Sequence, residues 1–172
     1  MLKSFTLFCA YILCCSALFA QSINIIPQPL SVITKKGKFT ITSATKLVVK
    51  DKKDYATASF LNKYLEEYYG IKLKQVSTDA DKSITISSGN QEEGLMASAY
   101  KFQSGNSGIQ ISGNSAVGSF YGMQTLIQLL PTEKSKALII PAVDVEDQPR
   151  FAYRGAMLDV CRHFFSVSFI KK

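Results

Sequence analysis

Two segments with helical periodicity, set among short runs rich in β-branched residues, constrain this chain most strongly. Residues 54–69 repeat apolar side chains at helical spacing and are followed by Gly70, a natural helix stop. Residues 115–130 have a broad apolar face, a candidate N-cap in Asn114 and a proline, Pro131, directly after them. The residues expected to face the core are Ala58, Leu61, Leu65 and Tyr68 in the first helix and Val117, Phe120, Tyr121, Leu126, Ile127 and Leu130 in the second.

Short strands are predicted on both sides of each helix. The runs that predict them are rich in β-branched and aliphatic residues or alternate between apolar and polar residues. Residues 104–107 (SGNS) have the composition of a hairpin turn. The predicted strands are residues 38–42, 46–50, 71–76, 83–87, 99–103, 108–112, 137–140 and 143–147. Strands interleaved with two helices predict an α/β sandwich, in which helices pack on a sheet.

The last part of the sequence predicts the start of a second unit. Residues 156–160 (AMLDV) form a continuous apolar run, which is typical of a strand buried in a parallel sheet. Residues 166–172 have the pattern of the first turns of a helix, with Ser166 or Ser168 as the cap. A strand followed at once by a helix is part of a βα unit. We therefore expect a unit whose remaining strands are not in this sequence.

The first 20 residues predict an export signal. Lys3 supplies the positive charge, residues 5–19 are apolar, and Ala20 precedes the polar Gln21. The expected cleavage after Ala20 would make the protein exported, either periplasmic or extracellular. A buried or membrane-anchoring helix is the alternative, and it fits the length and the flanking residues less well. After cleavage we expect no stable membrane insertion.

The composition argues against nucleic-acid binding, disulfide bonds and metal chemistry. The chain has 20 Lys plus Arg against 13 Asp plus Glu, but the lysines are spread along it, which is typical of a solvated surface. Three of the four cysteines precede residue 16, so cleavage would leave Cys161 alone and without an intramolecular partner. His163 is the only histidine. We therefore expect no metal site and no cofactor.

The densest group of chemically versatile residues coincides with the end of the predicted strand at 156–160. Asp159, Arg162 and His163 stand where binding and catalytic groups gather in parallel α/β proteins. A guanidinium presents a planar fork of donors that suits two neighbouring sugar hydroxyls, and Asp159 could pair with it. From the spacing alone, ordinary polar residues that end a strand are the more common explanation.

Longer stretches of the sequence together resemble one enzyme family. They are Q-P-R-F-A-Y-R-G-A-M-L-D-V-C-R-H-F-F at 148–165, I-P-Q-P at 26–29, L-N-K-Y-L at 61–65 with Gly70, and G-S-F-Y-G-M-Q-T-L-I-Q-L-L-P at 118–131. These stretches resemble glycoside hydrolase family 20, the β-N-acetylhexosaminidases. The resemblance implies a non-catalytic α/β domain at residues 21–149, similar in fold to zinc proteases but without their metal site. It also implies that residues 150–172 are the truncated start of an eight-stranded β/α barrel.

The resemblance implies an activity and a ligand as well. Barrels of this family release terminal β-linked N-acetylglucosamine or N-acetylgalactosamine with retention. The acetamido oxygen of the substrate is the nucleophile, a glutamate is the acid, and an adjacent aspartate orients the acetamide. The arginine of the family's R-H-F motif binds hydroxyls of the terminal sugar. Its match here is Arg162, with Asp159 and His163 as supporting residues, so the expected partners are glycans that end in N-acetylhexosamine.

The sequence as given lacks the pair of residues that would perform this hydrolysis. No Asp-Glu step occurs in it, and after cleavage every acidic residue except Asp159 precedes the predicted barrel. We therefore expect this polypeptide by itself to have no hexosaminidase activity. The alternative function, from a different class, is a stand-alone module that binds a glycan or a protein through the α/β domain and performs no catalysis.

Overall fold

A computed structural model describes residues 23–91, 93–135, 137–160 and 163–171. Within these residues, a seven-stranded sheet carries two long helices on one face. The elements in chain order are β1 (Ser31–Ile41), β2 (Lys46–Val49), α1 (Tyr55–Tyr69), β3 (Lys74–Val76), β4 (Ser83–Ser88), β5 (Tyr100–Gly105), β6 (Gly108–Gly113), α2 (Ala116–Leu129), β7 (Leu138–Asp147) and α3 (Val167–Ile170), with 3-10 turns at Lys52–Asp54 and Leu95–Ser98.

The sheet is mixed, with the order β1-β7-β5-β6-β4-β2-β3. The pairs β2–β3, β2–β4 and β4–β6 are parallel, whereas β1–β7, β5–β7 and β5–β6 are antiparallel. Strands β5 and β6 form the predicted hairpin, which turns at Asn106 and Ser107. A mixed sheet with helices on one face confirms the predicted α/β fold.

Helix α1 forms where its local sequence predicts it. Ala58, Leu61 and Leu65 are completely buried against the sheet, as their spacing requires. Gly70 ends the helix in the left-handed conformation, with φ +69°, and its N–H bonds to the carbonyl of Glu66. Tyr68, also expected to face the core, instead lies on the exposed surface of the helix.

Helix α2 packs on the sheet through the predicted Leu126 and Leu130 and also through small residues, and Val117 is the one exposed member of the predicted apolar face. Val117 is 49% exposed, whereas Gly118 and Gly122 are buried. A Cβ at Gly118 would lie only 2.3 Å from the carbonyl oxygen of Ala99. The absence of a side chain therefore lets the helix approach this backbone closely, and the helix rotates Val117 outward as a result.

The cap of α2 also differs by one residue from the prediction. Ser115, not Asn114, is the N-cap, and its hydroxyl accepts a hydrogen bond from the N–H of Val117 at 3.1 Å. The same hydroxyl donates to the carbonyl of Ala97 at 2.7 Å. Asn114 uses its side-chain amide to bond the carbonyl of Met96. Tertiary partners therefore select the capping residue from two adjacent candidates.

Strand β7 joins two segments that were predicted as separate strands, residues 137–140 and 143–147. Pro141 lies inside it, at the point where the register between β1 and β7 shifts. The Ser104 hydroxyl donates to the Pro141 carbonyl at 2.6 Å and accepts from the N–H of Val143 at 2.9 Å. The Ser104 hydroxyl therefore satisfies backbone groups of β7 at the irregular point of the ladder. The strand can continue past the proline for this reason.

The predicted strand at residues 156–160 is wrong for this structure. The segment has no regular secondary structure and every residue in it is exposed, Met157 by 94%. A strand of this composition requires neighbouring strands on both sides, and none of the described residues pairs with it. The helix predicted at 166–172 is present as the short α3, where the Ser166 hydroxyl accepts a hydrogen bond from the N–H of Phe169.

Candidate functional surface

Two of the three predicted sugar-binding residues lie within the described part of the chain. Asp159 and His163 lie on the exposed, irregular part of the chain between β7 and α3. Arg162 lies outside the described residues. The roles of Arg162, Asp159 and His163 therefore stay predictions.

Asp54 is a buried carboxylate whose hydrogen bonds stabilise the fold. It is completely buried at the start of α1. Ser119 of α2 donates to Oδ1 at 2.7 Å, and Ser88 at the end of β4 donates to Oδ2 at 2.9 Å. The carboxylate thus joins both helices to the sheet, and its burial leaves no access for a substrate.

The outward side of the two helices forms a surface that we call the helical face. Its apolar members are Tyr55, Phe60, Tyr64, Val117, Phe120 and Tyr121. Phe60 and Phe120 connect the helices through an edge-to-face contact with ring centroids 5.5 Å apart. A solvent-facing helix surface is ordinarily polar. Here Tyr55 and Phe60 are exposed and the other rings are half-buried, and aromatic side chains at a surface are typical of a region that contacts other protein.

The chain leaves the α/β domain beside its own N-terminal segment. The N–H of Leu30 donates to the Asp147 carboxylate at 3.2 Å, and the Arg150 guanidinium reaches the Gln28 carbonyl at 3.4 Å. These contacts hold the segment before β1 against the end of β7 and the residues that follow it. They determine the point on the domain surface from which the chain continues.

Beyond this point the chain contacts the helical face at Tyr121. The Arg154 guanidinium donates to the Tyr121 hydroxyl at 3.2 Å, and its carbon lies 5.3 Å from the centre of the Tyr121 ring. Arg154 is not among the residues that the sequence predicts for a site. No local pattern indicates this contact, because the two residues are 33 positions apart.

A glutamine on α2 fixes the N-terminal segment to the helix. The Gln128 amide accepts from the N–H of Ile26 at 2.8 Å and donates to the Ile26 carbonyl at 2.9 Å. The side chain therefore bonds both backbone groups of one residue, as a neighbouring strand would. Ile26 begins the I-P-Q-P stretch, so one end of that stretch is held on the same side of the sheet as the helical face.

Three tyrosines near the helices, one buried and two half-buried, stay protonated at neutral pH. Burial raises the pKa of Tyr100. The Tyr100 hydroxyl shares a 2.7 Å hydrogen bond with the hydroxyl of Thr125 on α2, which lowers the pKa by less than burial raises it. Burial also raises the pKa of Tyr64 and of Tyr69. A raised pKa removes these phenols from proton transfer at neutral pH, so they act as hydrogen-bonding and packing groups.

The rest of the described structure offers no metal cluster and no spanning helix. Among the residues that it covers, no group of three or more His, Cys, Asp and Glu side chains could hold a metal ion. No helix in the same part of the chain is long and apolar enough to cross a membrane.

Comparison with known proteins assigns the α/β domain. The sequence profile of glycosyl hydrolase family 20, domain 2, matches residues 22–148. A β-hexosaminidase of Porphyromonas gingivalis is 35% identical over 172 aligned residues, which cover 90% of this chain and 21% of that protein. A β-N-acetylhexosaminidase of Cellulomonas fimi is 30% identical, with 87% of this chain and 31% of that protein covered.

Solved structures give the same result. The family 20 β-N-acetylhexosaminidase of Streptomyces coelicolor A3(2) superposes with a TM-score of 0.70 at 34% identity, over 84% of this chain and 30% of that one. A family 20 exo-β-N-acetylglucosaminidase of Vibrio harveyi superposes equally well, with a TM-score of 0.70 at 26% identity, over 84% of this chain and 22% of that one. The chain spans about a fifth to a third of the proteins that it matches. By its α/β domain, the chain belongs to glycosyl hydrolase family 20.

Proposed function

We propose that this chain is the N-terminal portion of an exported β-N-acetylhexosaminidase. The complete enzyme removes terminal β-linked N-acetylglucosamine or N-acetylgalactosamine from glycans by retaining, substrate-assisted catalysis. The polypeptide of 172 residues is inactive by itself, since it contains no Asp-Glu pair. No cofactor takes part in the reaction that we propose.

One observation carries this proposal more than the others. The similarity to the Porphyromonas gingivalis β-hexosaminidase covers 90% of the chain, which is more than the 127 residues matched by the domain profile. The similarity therefore includes sequence outside residues 22–148, and the matched protein is almost five times longer than the matched stretch. Both facts favour a larger enzyme over a stand-alone binding module.

In this proposal, the α/β domain supports the catalytic domain through the helical face. The exposed ring of Phe60, its contact with the half-buried ring of Phe120, and the contact between Arg154 and Tyr121 support the assignment of that surface. The segment after β7 also exposes large apolar side chains, among them Tyr153 and Met157. Burial of these side chains in a barrel that packs on the helical face would remove them from water.

Arg162 is the residue of this chain that we propose to contact substrate. It would donate to hydroxyls of the terminal sugar, while Asp159 and His163 support its position. We propose the same cleavage after Ala20 as the sequence predicts, and hence a periplasmic or extracellular location. N-terminal sequencing of the protein from extracytoplasmic fractions tests this cleavage: a start at Gln21 is expected, and an intact Met1 contradicts it.

Hydrolysis of p-nitrophenyl N-acetyl-β-D-glucosaminide by the complete gene product tests the activity. In that enzyme Arg162→Ala should lower kcat/KM at least about tenfold, because a charge-assisted hydrogen bond to a sugar hydroxyl contributes about 1.5–3 kcal/mol. Arg150→Ala is the matched control, since its guanidinium makes a 3.4 Å contact with one backbone carbonyl. An active enzyme in which both variants retain full kcat/KM would contradict the role of Arg162. A complete product without activity would contradict the function.

A further inference from the structure

The side of the sheet that carries no helix contains a groove of about 610 Å³. We call it the sheet groove and define its floor by four polar residues, Thr85, Gln103, Gln110 and Asp144. A volume of this size lies within the range of about 300–1,000 Å³ that is usual for ligand sites. The groove is distinct from the helical face, because it lies on the opposite side of the sheet.

The floor residues form one row across four strands. In the pairing register, Asp144 of β7 is opposite Gln103 of β5, Gln103 is opposite Gln110 of β6, and Gln110 is opposite Thr85 of β4. Side chains in register share one face of a sheet, and neighbouring strands are about 4.8 Å apart, so the row is about 14 Å long. It therefore presents several polar groups at regular intervals.

Most of the hydrogen-bonding capacity of this row is unused. Within the described residues, the side chains of Thr85, Gln103 and Gln110 make no hydrogen bond. The Asp144 Oδ1 atom is buried and has no partner among the described groups, while Oδ2 pairs with the Lys35 ammonium at 2.5 Å. Each glutamine amide has donors and acceptors available. The row can thus both give and accept hydrogen bonds along its length.

Ion pairs on both sides of the row keep the groove close to neutral. Lys35 pairs with Asp144 on the β1 side, and Lys50 pairs with Asp79 on the β2 side at 2.7 Å. Lys36 adds one exposed cation to the lining. No aromatic ring is among the described residues that line the groove. A ligand would therefore be recognised by hydrogen bonds rather than by stacking, and a positively charged ligand would be repelled by Lys36.

We propose that the sheet groove is a binding site for a neutral oligosaccharide. Sugar hydroxyls both donate and accept hydrogen bonds, which matches the mixed capacity of Gln103 and Gln110. A chain of sugars also matches the regular spacing of the row. The site would hold a polymeric glycan on the α/β domain. It does not depend on the proposed enzymatic activity, because all the residues that line it belong to the α/β domain.

An NMR titration of the ¹⁵N-labelled chain with chitohexaose tests this site. We expect saturable shifts of the side-chain amide signals of Gln103 and Gln110, with a Kd in the millimolar range. The Gln103→Ala/Gln110→Ala variant should bind about tenfold more weakly, since it loses hydrogen bonds from two amides. Both side chains are exposed, so the substitutions should leave the fold intact. Gln91→Ala, an exposed glutamine in a loop outside the groove, should bind like the unsubstituted chain.

Several outcomes would overturn the proposal. One is the absence of saturable shifts at any sheet residue, which would leave an ordinary solvated sheet face. Another is a set of shifts confined to the helical face. A third is tighter binding of a sulfated hexasaccharide than of chitohexaose, which would exclude a preference for neutral ligands. None of these results would affect the hydrolysis test of the complete gene product.

Discussion

Substitution of Asp54 by alanine should strongly destabilise the α/β domain. The carboxylate is completely buried and accepts hydrogen bonds from Ser119 at 2.7 Å and Ser88 at 2.9 Å. Hydrogen bonds to a charged group contribute about 1.5–3 kcal/mol each. Two such bonds set an upper range of about 3–6 kcal/mol for the loss in the free energy of unfolding.

Two compensating effects reduce this range. In the variant the Ser119 hydroxyl can donate to the Ala116 carbonyl, which already lies 3.0 Å away. Removal of the carboxylate also removes the cost of taking its charge out of water. We therefore expect Asp54→Ala to lower the free energy of unfolding by about 3 kcal/mol.

Urea denaturation followed by far-ultraviolet circular dichroism measures this loss, since the chain has no tryptophan for fluorescence. Asp79→Ala is the matched control, because that carboxylate is 81% exposed and, within the described residues, pairs with Lys50 alone. It should cost no more than about 1 kcal/mol. Equal losses for the two variants would refute the reasoning, because they would show that the buried contacts of Asp54 contribute no more than a surface ion pair.

Two further perturbations follow from the packing of α2 and from the buried phenol of Tyr100. Gly118→Ala should lower the free energy of unfolding by about 2 kcal/mol, because the new Cβ would lie 2.3 Å from the Ala99 carbonyl oxygen. Gly105→Ala is the control, because no atom lies within 4 Å of the Cβ that it would add. It should change the free energy of unfolding by less than about 0.5 kcal/mol. A tolerated Gly118→Ala would contradict the close approach. Burial raises the pKa of Tyr100 above its ordinary value of 10.0, so its contribution to stability is present below pH 10 and is lost as the pH rises further. In denaturation measured across this range, Tyr100→Phe should make the alkaline loss shallower, and an unchanged pH dependence would contradict this.

Local sequence signals predicted the elements that local interactions determine. Helix α1 is an example, since apolar spacing and Gly70 are sufficient to define its face and its end. The cap of α2 shows the limit, because Asn114 and Ser115 are both suitable and the position of the Ala97 carbonyl selects Ser115. The exposed Val117 has a similar cause. Apolar periodicity places it in the core, but the close contact between Gly118 and the Ala99 backbone rotates it outward.

Predictions about the last part of the chain depend on groups far from it in sequence. Residues 156–160 have the composition of a buried strand, but composition cannot supply the neighbouring strands that such a strand needs. The contact between Arg154 and Tyr121 has no local sequence pattern that predicts it. The same is true of the hydrogen bonds between Gln128 and Ile26, because these residues are 102 positions apart. The proposed sugar contact of Arg162 depends on the family resemblance, because its local motif is short.

Sequencing of the gene beyond the Lys172 codon tests the central claim most directly. The account predicts that the reading frame continues for about 250 residues, the usual size of a β/α barrel, and that it encodes an adjacent Asp-Glu pair. An in-frame stop codon directly after Lys172 would contradict the proposal that this chain is part of a working hexosaminidase.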